Sequence, residues 1–314
     1  SIMNKATTVE NPLGIERVGR LLARYAIPSI IALIINSLYN MVDQIFIGQG
    51  VGFLGNGATN IIAPIATITI AIATLFGDGL AAFFSLSLGK GEGERAAKGL
   101  GTSIIYGSIF GIIWTVIAFA FLRPLCLIFG ATENILPYAL DYGRIIVIGF
   151  AFQIVGNTIN SVIRTDGSPR YAMLSMMIGA VLNIILDPIF IFVFHWGVEG
   201  AAIATIISQL FGLLFNIAYL FRLKTIKLSR QSFTFDIRTA GRIASLGFAS
   251  GANNLTSTVV AFVSNNLMTK YGALSPYGAD IPLTTFGLCM KVSMLAFSIG
   301  IGVASGSQPI IGFN

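Results

Sequence analysis

Long apolar runs separated by short polar segments follow one another along nearly the whole chain. Runs able to cross roughly 30 Å of hydrocarbon lie near residues 21–47, 57–88, 99–122, 137–163, 171–194, 199–222, 241–270 and 282–311. Proline and glycine inside these runs do not exclude helices, because in a bundle neighbouring helices satisfy the freed backbone groups. The pattern predicts eight spans and an all-α polytopic membrane protein.

Composition agrees with the bilayer as solvent. With 55% hydrophobic and 10% charged residues and a mean hydropathy of +0.83, too little polar surface remains to coat a soluble globule. The net charge of +6 would suit nucleic acid only if the basic residues gathered on one exposed face. They are scattered among short loops instead, so no nucleic-acid partner is expected. In a membrane protein the excess reports orientation. A cytoplasmic N-terminus puts Lys5, Arg17, Arg20, Arg24, Lys90, Arg95, Lys98, Arg164, Arg170, Arg222, Lys224, Lys227, Arg230, Arg238 and Arg242 inside, and leaves only Arg123 and Lys270 outside, with Arg144 nearby. The expected location is the cell's inner (plasma) membrane, and the first span is expected to serve in targeting. Cys126 and Cys289 suggest neither a disulfide framework nor a metal site.

The longest polar connector, LKTIKLSRQSFTFDIR at 223–238, divides the chain. Shifting the sequence on itself by about 221 residues lays AIPSIIALIINS at 26–37 on GFASGANNLTST at 247–258, and GLAAFFSLSLG ending at Gly89 on GVASGSQPIIG ending at Gly312. An even number of spans in the first unit makes the repeat parallel. The expected organisation is a six-helix lobe over 1–222, a cytoplasmic linker over 223–240, and over 241–314 the first two spans of an incomplete second lobe.

Charge inside a span costs about 2.5–3.5 kcal/mol on insertion scales, so each such residue is a functional candidate. Asn36, Asn40 and Asp43 follow spacings of four and three and share a face of span 1. Asn183 and Asp187 do the same in span 5, where Pro188 removes a backbone donor and favours a bend next to the carboxylate. Both Asp43 and Asp187 fall in the outer halves of their spans, and the pair is suited to hold a cation. Tyr142, Gln153, Asn157 and Asn160 in span 4, and Thr205, Ser208, Gln209 and Asn216 in span 6, make the interior polar. Taken singly, Asn40, Asn160 and Asn216 read as helix-joining groups. Asp78 and Lys291 are balanced between a solvated wall and a coupling role, and Arg144 can snorkel or pair with Asp141.

These residues, with IPSIIALIINSLYNMVDQIFIGQG at 27–50, GSPRYAM at 167–173, NIILDPIFIF at 183–192, GVEGAAIATIISQ at 197–209 and GSQPIIGFN at 306–314, resemble the multidrug and toxic compound extrusion family, in its DNA-damage-inducible-protein-F-like branch. The resemblance covers the whole chain. It implies a cation site of Asp43, Tyr142, Asn157, Asn183, Asp187 and Thr205, with Na⁺ held at Asp43, Asn183 and Asp187 if Na⁺ is the ion. It also implies cavity positions at Asn36, Tyr39 and Asn160 and bending at Pro28, to which Pro188 adds a second bend. Such transporters have two six-helix lobes, so the chain reads as truncated after its eighth span and in need of the missing C-terminal lobe for transport.

The expected function is antiport: H⁺ or Na⁺ enters as an organic, often cationic and amphipathic drug or toxin leaves by alternating access, with no other cofactor. A flippase for lipid-linked precursors shares this architecture but usually lines its cavity with arginines, whereas only Arg144 stands well inside a span of this lobe. A membrane-embedded enzyme is disfavoured because the sole histidine, His195, sits in a loop before Trp196 with no partner for acid-base or metal chemistry.

Overall fold

The computed structural model describes residues 11–314; Lys5 lies outside the described residues. A short α1 (Pro12–Ile15), started by Asn11 Oδ1 accepting from Leu13 N at 3.1 Å, precedes the long helices. These are α2 (Val18–Gly50), α3 (Phe53–Gly89) and α4 (Gly93–Ala120), then a short α5 (Leu122–Ile128), α6 (Leu136–Ile146), α7 (Phe150–Thr165), α8 (Pro169–Pro188), α9 (Gly197–Leu220), α10 (Ile237–Ala273) and α11 (Asp280–Phe313). Among the described residues there is no strand. That is the outcome hydrocarbon imposes, since only structures that satisfy every backbone group internally are tolerated there.

Four details depart from the run pattern. The fourth span is two helices, α6 and α7, joined by a 3₁₀ turn at Val147–Gly149. Pro188 is the last residue of α8, but the chain stays helical there, because a π-helical turn at Ile189–Val193 follows it directly. Such a turn accommodates the missing N–H and the ring. The expected linker is shorter than 223–240, because α10 already begins at Ile237. Finally, seven spans are long and apolar enough to cross a membrane, α6 and α7 counting as one, and α10 is not among them. Its length suffices, but its middle, SLGFASGANNLTST, is too polar.

The protein is a multi-pass membrane protein whose outer surface suits lipid. Phe110, Ile112, Ile113, Val116 and Phe119 on α4, Val181 and Ile185 on α8, and Phe297, Ile299 and Ile301 on α11 are all exposed. Burial on one side and lipid on the other is how a span satisfies both neighbours without a polar face. The largest apolar cluster lies at the end of the bundle where α2 finishes, and joins Ile47, Ile61, Ile65, Leu122, Ile135, Phe150 and Leu283. A second, with Leu80, Phe84, Leu100, Val162, Ile226 and Ile243, lies at the opposite end, called here the basic end after its connectors.

The last two helices pack on the first two. α10 lies along α3, and α11 along α2 and α3, with a smaller contact between α10 and α11 themselves. Where α3 meets α10 the main chains touch: a Cβ on Gly247 would stand 2.0 Å from the carbonyl oxygen of Leu75, and one on Gly79 2.1 Å from that of Ile243. Only glycine fits at that crossing. Farther along the same contact, Asn254 Nδ2 donates to Thr74 Oγ1 at 3.1 Å.

The connector between α9 and α10 is tied down at both ends. Asp166, at the close of α7 and 1% exposed, accepts from Tyr219 Oη at 2.6 Å, Lys224 N at 2.8 Å, Thr225 N at 3.0 Å and the Thr225 hydroxyl. Farther along, Thr234 bonds Thr102 at 2.9 Å, Tyr106 Oη donates to the Phe235 carbonyl at 2.9 Å, and Lys98 Nζ pairs with Asp236 at 2.6 Å. Asp236 then starts α10 by accepting from Arg238 N at 3.0 Å.

Candidate cation site

Asp43 reaches its place because α2 runs unbroken through Pro28 to Gly50 and packs against α8. On α8, Asn183 and Asp187 are one turn apart and share a face. The carboxyl groups of Asp43 and Asp187 come within hydrogen-bonding reach of each other. All three side chains are buried, with exposures of 6%, 1% and 0% for Asp43, Asn183 and Asp187.

The polarity of this cluster is one-sided. Asn183 Nδ2 donates to Thr205 Oγ1 at 3.1 Å, and that hydroxyl donates onward to the Ala201 carbonyl at 3.0 Å. Among the described residues no donor is bonded to the oxygens: Asp43 Oδ1, both oxygens of Asp187 and Asn183 Oδ1 are buried without a hydrogen-bond partner. Buried acceptors are nearly always satisfied in folded proteins, and an unsatisfied one costs about 1–3 kcal/mol. Four acceptors on two helices call for something positive between them. A proton shared by the carboxylates would do this, as would a hard cation with oxygen ligands.

The other residues singled out in the sequence take several places. Tyr142 on α6, buried, and Tyr39 on α2, half-buried, lie within electrostatic range of both carboxylates. Among the described residues neither phenol hydrogen-bonds to them. Asn36 is half-buried and its carbonyl accepts from Asn40 Nδ2 at 2.9 Å.

Asn157 faces α3, where its amide lies beside Gly77, and no hydrogen bond joins it to Asp43 or Asp187 among the described residues. Asn160 is committed to joining helices. Its Nδ2 donates to the Ala172 carbonyl at 3.1 Å and lies 3.5 Å from Asn216 Oδ1, while Asn216 donates to the Gly156 carbonyl at 3.1 Å. Asp78 is half-buried and within electrostatic range of Arg164, and Arg144 approaches Asp141 at 4.0 Å on the surface. The structural importance of Asp166 escaped the sequence reading; its Asp-Gly pair signals a turn, not a buried carboxylate.

The family model described as MatE matches residues 28–189, from the proline of α2 to just beyond Asp187. The chain belongs to the MatE family. Two named relatives are multidrug export protein MepA of Staphylococcus saprophyticus, 27% identical over 297 residues, and that of Staphylococcus aureus strain MRSA252, 25% identical over 307. These matches cover 92% and 95% of this chain but 63% and 64% of the relatives. The chain thus spans less than two thirds of their length.

Among solved structures, the MATE multidrug transporter DinF-BH, solved as a ligand complex, superposes with a TM-score of 0.89 at 31% identity, over 96% of this chain and 66% of that one. An outward-facing multidrug resistance MATE transporter gives 0.84 at 25% identity, over 96% of this chain and 66% of its own. An inward-facing one gives 0.78 at 27% identity, over 89% and 64%. These relatives are named as transporters and exporters, not as enzymes.

Proposed function

We propose that the chain contributes the cation-coupling lobe, and the opening helices of a second lobe, to an antiporter that exports organic, often cationic and amphipathic, drugs or toxins. The observation that carries the reading is the donorless cluster of Asp43, Asn183 and Asp187. Its position in the bundle core, away from the lipid-facing surface, suits an ion path. The relatives named for multidrug export supply the substrate class, and their greater length agrees with the need for a whole second lobe. Tyr39, Tyr142 and Thr205 line or brace the cation site in this reading, and Asn157 joins it from α7 as the bundle rearranges.

The asymmetry of basic residues supports a cytoplasmic N-terminus, and the likeness to multidrug exporters supports the plasma membrane. In the cycle, H⁺ or Na⁺ enters from outside and neutralises the carboxylates, and one lobe rocks against the other. Coupling requires that cation and drug favour opposite conformations, since linkage is reciprocal. Each net charge that a cycle moves across 100 mV supplies about 2.3 kcal/mol, enough for roughly a fortyfold gradient of an uncharged drug.

The test is Asp187→Asn in cells sensitised to cationic dyes. The variant is expected to insert normally and to lose dye export. Export equal to the unaltered protein, at equal abundance in the membrane, would remove the assigned site.

A further inference from the structure

Lys291 on α11 is half-buried in a membrane-spanning segment and, among the described residues, forms no ion pair. Its surroundings follow from the way α2 and α11 pack, in opposite directions and in steady register. Gly306 lies against Ala26, Gly302 against Ile30, and Ser298 Oγ hydrogen-bonds to Ser37 Oγ at 2.8 Å. The four residues from Ala26 to Ile30 match the four from Gly306 back to Gly302, and Ser298, four farther back, meets α2 at the Leu33 carbonyl, 3.4 Å from its Oγ, as well as at Ser37 one turn on. Seven residues farther back along α11, the same register brings Lys291 level with the stretch Asn40–Gln44 of α2, which holds Asp43.

Lys291 also points the right way. It precedes Ser298 by seven residues, close to two helical turns, so it shares the face of α11 that meets α2. Its ammonium acts electrostatically on Asp43. The titratable groups around Asp43 are Asp187 from α8, Tyr39 from its own helix, Tyr142 from α6 and Lys291 from α11. Among the described residues, Lys291 is the one cation in that set.

We propose that Lys291 is a tethered counter-cation for the Asp43 and Asp187 pair, carried by the second lobe and exchanged for the coupling cation. With α11 against α2, the ammonium supplies the positive charge that two neighbouring buried carboxylates need. When α11 withdraws, the pair is left to H⁺ or Na⁺. The lobe's motion and the site's occupancy are thereby one event, because a flexible four-carbon stem can follow only as far as its helix allows. The inference rests on the cation-site reading above.

The experiment uses the purified chain in lipid nanodiscs with dicyclohexylcarbodiimide, which takes up the proton of a protonated carboxyl group and is then attacked by its oxygen. Labelling of Asp43 and Asp187 is followed by mass spectrometry at neutral pH. In Na⁺-free buffer only a proton can replace the charge lost in Lys291→Met, and the labelling rate is expected to rise at least about tenfold, the scale of one charge removed at roughly 10 Å with an effective dielectric of about 20. Lys291→Arg should label like the unaltered chain. Lys291→Gln serves if the methionine variant melts early. Labelling unchanged in both neutral variants, with Asp43 still reactive, overturns the role of Lys291 and leaves the cation site standing. No reaction at either carboxylate in any variant overturns both readings.

Discussion

Replacing Asp166 by alanine tests the claim that the connector between α9 and α10 is held by one buried carboxylate. The side chain is 1% exposed and receives four hydrogen bonds, three of them from the first residues of the connector. Tyr219 keeps a second contact to Ser168 Oγ at 2.8 Å, so the loss falls on Lys224 and Thr225. Two backbone N–H groups would be left without their acceptor, at about 1–3 kcal/mol each. The connector should therefore detach with a free-energy change of about 2–6 kcal/mol, or roughly thirtyfold to twenty-thousandfold in its opening equilibrium. Amide hydrogen exchange over residues 222–228, measured in nanodiscs, reads that equilibrium directly. Asp166→Asn should behave nearly as badly, since its amide turns donors toward donors. Exchange accelerated less than about threefold, with α7 and α9 unchanged, would refute the reasoning, because the predicted cost lies well above that ratio.

Two further outcomes follow from the packing. Cysteines at positions 74 and 254, where Asn254 now bonds Thr74 at 3.1 Å, should cross-link readily, and adding Gly247→Leu should abolish the cross-link by wedging α3 from α10; a cross-link of unchanged yield would contradict the main-chain contact. The Lys98 ammonium hydrogen-bonded to Asp236 holds that carboxyl down to about 2. A depressed carboxyl contributes to holding the connector above the ordinary pKa of about 3.9 and loses that contribution as pH falls toward its own. Exchange over residues 229–236, corrected for intrinsic rates, should be flat from pH 5 to 8 and rise only below about pH 4; a step near pH 6 would exclude this ion pair as the cause.

The helices were legible in the sequence because lipid leaves few alternatives: a long apolar run must be a helix. The same scarcity made Asp43, Asn183 and Asp187 conspicuous, since a carboxylate or amide inside such a run has few bland explanations. The break at Val147–Gly149 was hidden because all three of its residues are apolar and preserve the hydrophobic run while the backbone tightens. Asn157 and Asn160 share one helix and one residue type, and nothing local separates an amide lying beside Gly77 from one joining three helices. Asp166 was passed over because a charge in a loop is ordinarily hydrated. Its burial is created by Tyr219 and Thr225, more than fifty residues away. α10 was readable as a helix by its length, but its polarity makes sense only beside α3, a neighbour remote in the chain.

The tethering of the connector has a mechanical consequence. With residues 224 and 225 fastened to Asp166, and 234 to 236 fastened to α4, slack is removed up to the point where α10 begins. Asp236 then works as a fulcrum instead of one link in a loose chain. α10 has 37 residues, so at 1.5 Å per residue it forms an arm of about 55 Å, and a tilt of roughly 10° at its base displaces its tip by about 10 Å. A small rotation near the basic end is thereby geared up into a wide movement at the opposite end, with no segment of the connector needing to stretch.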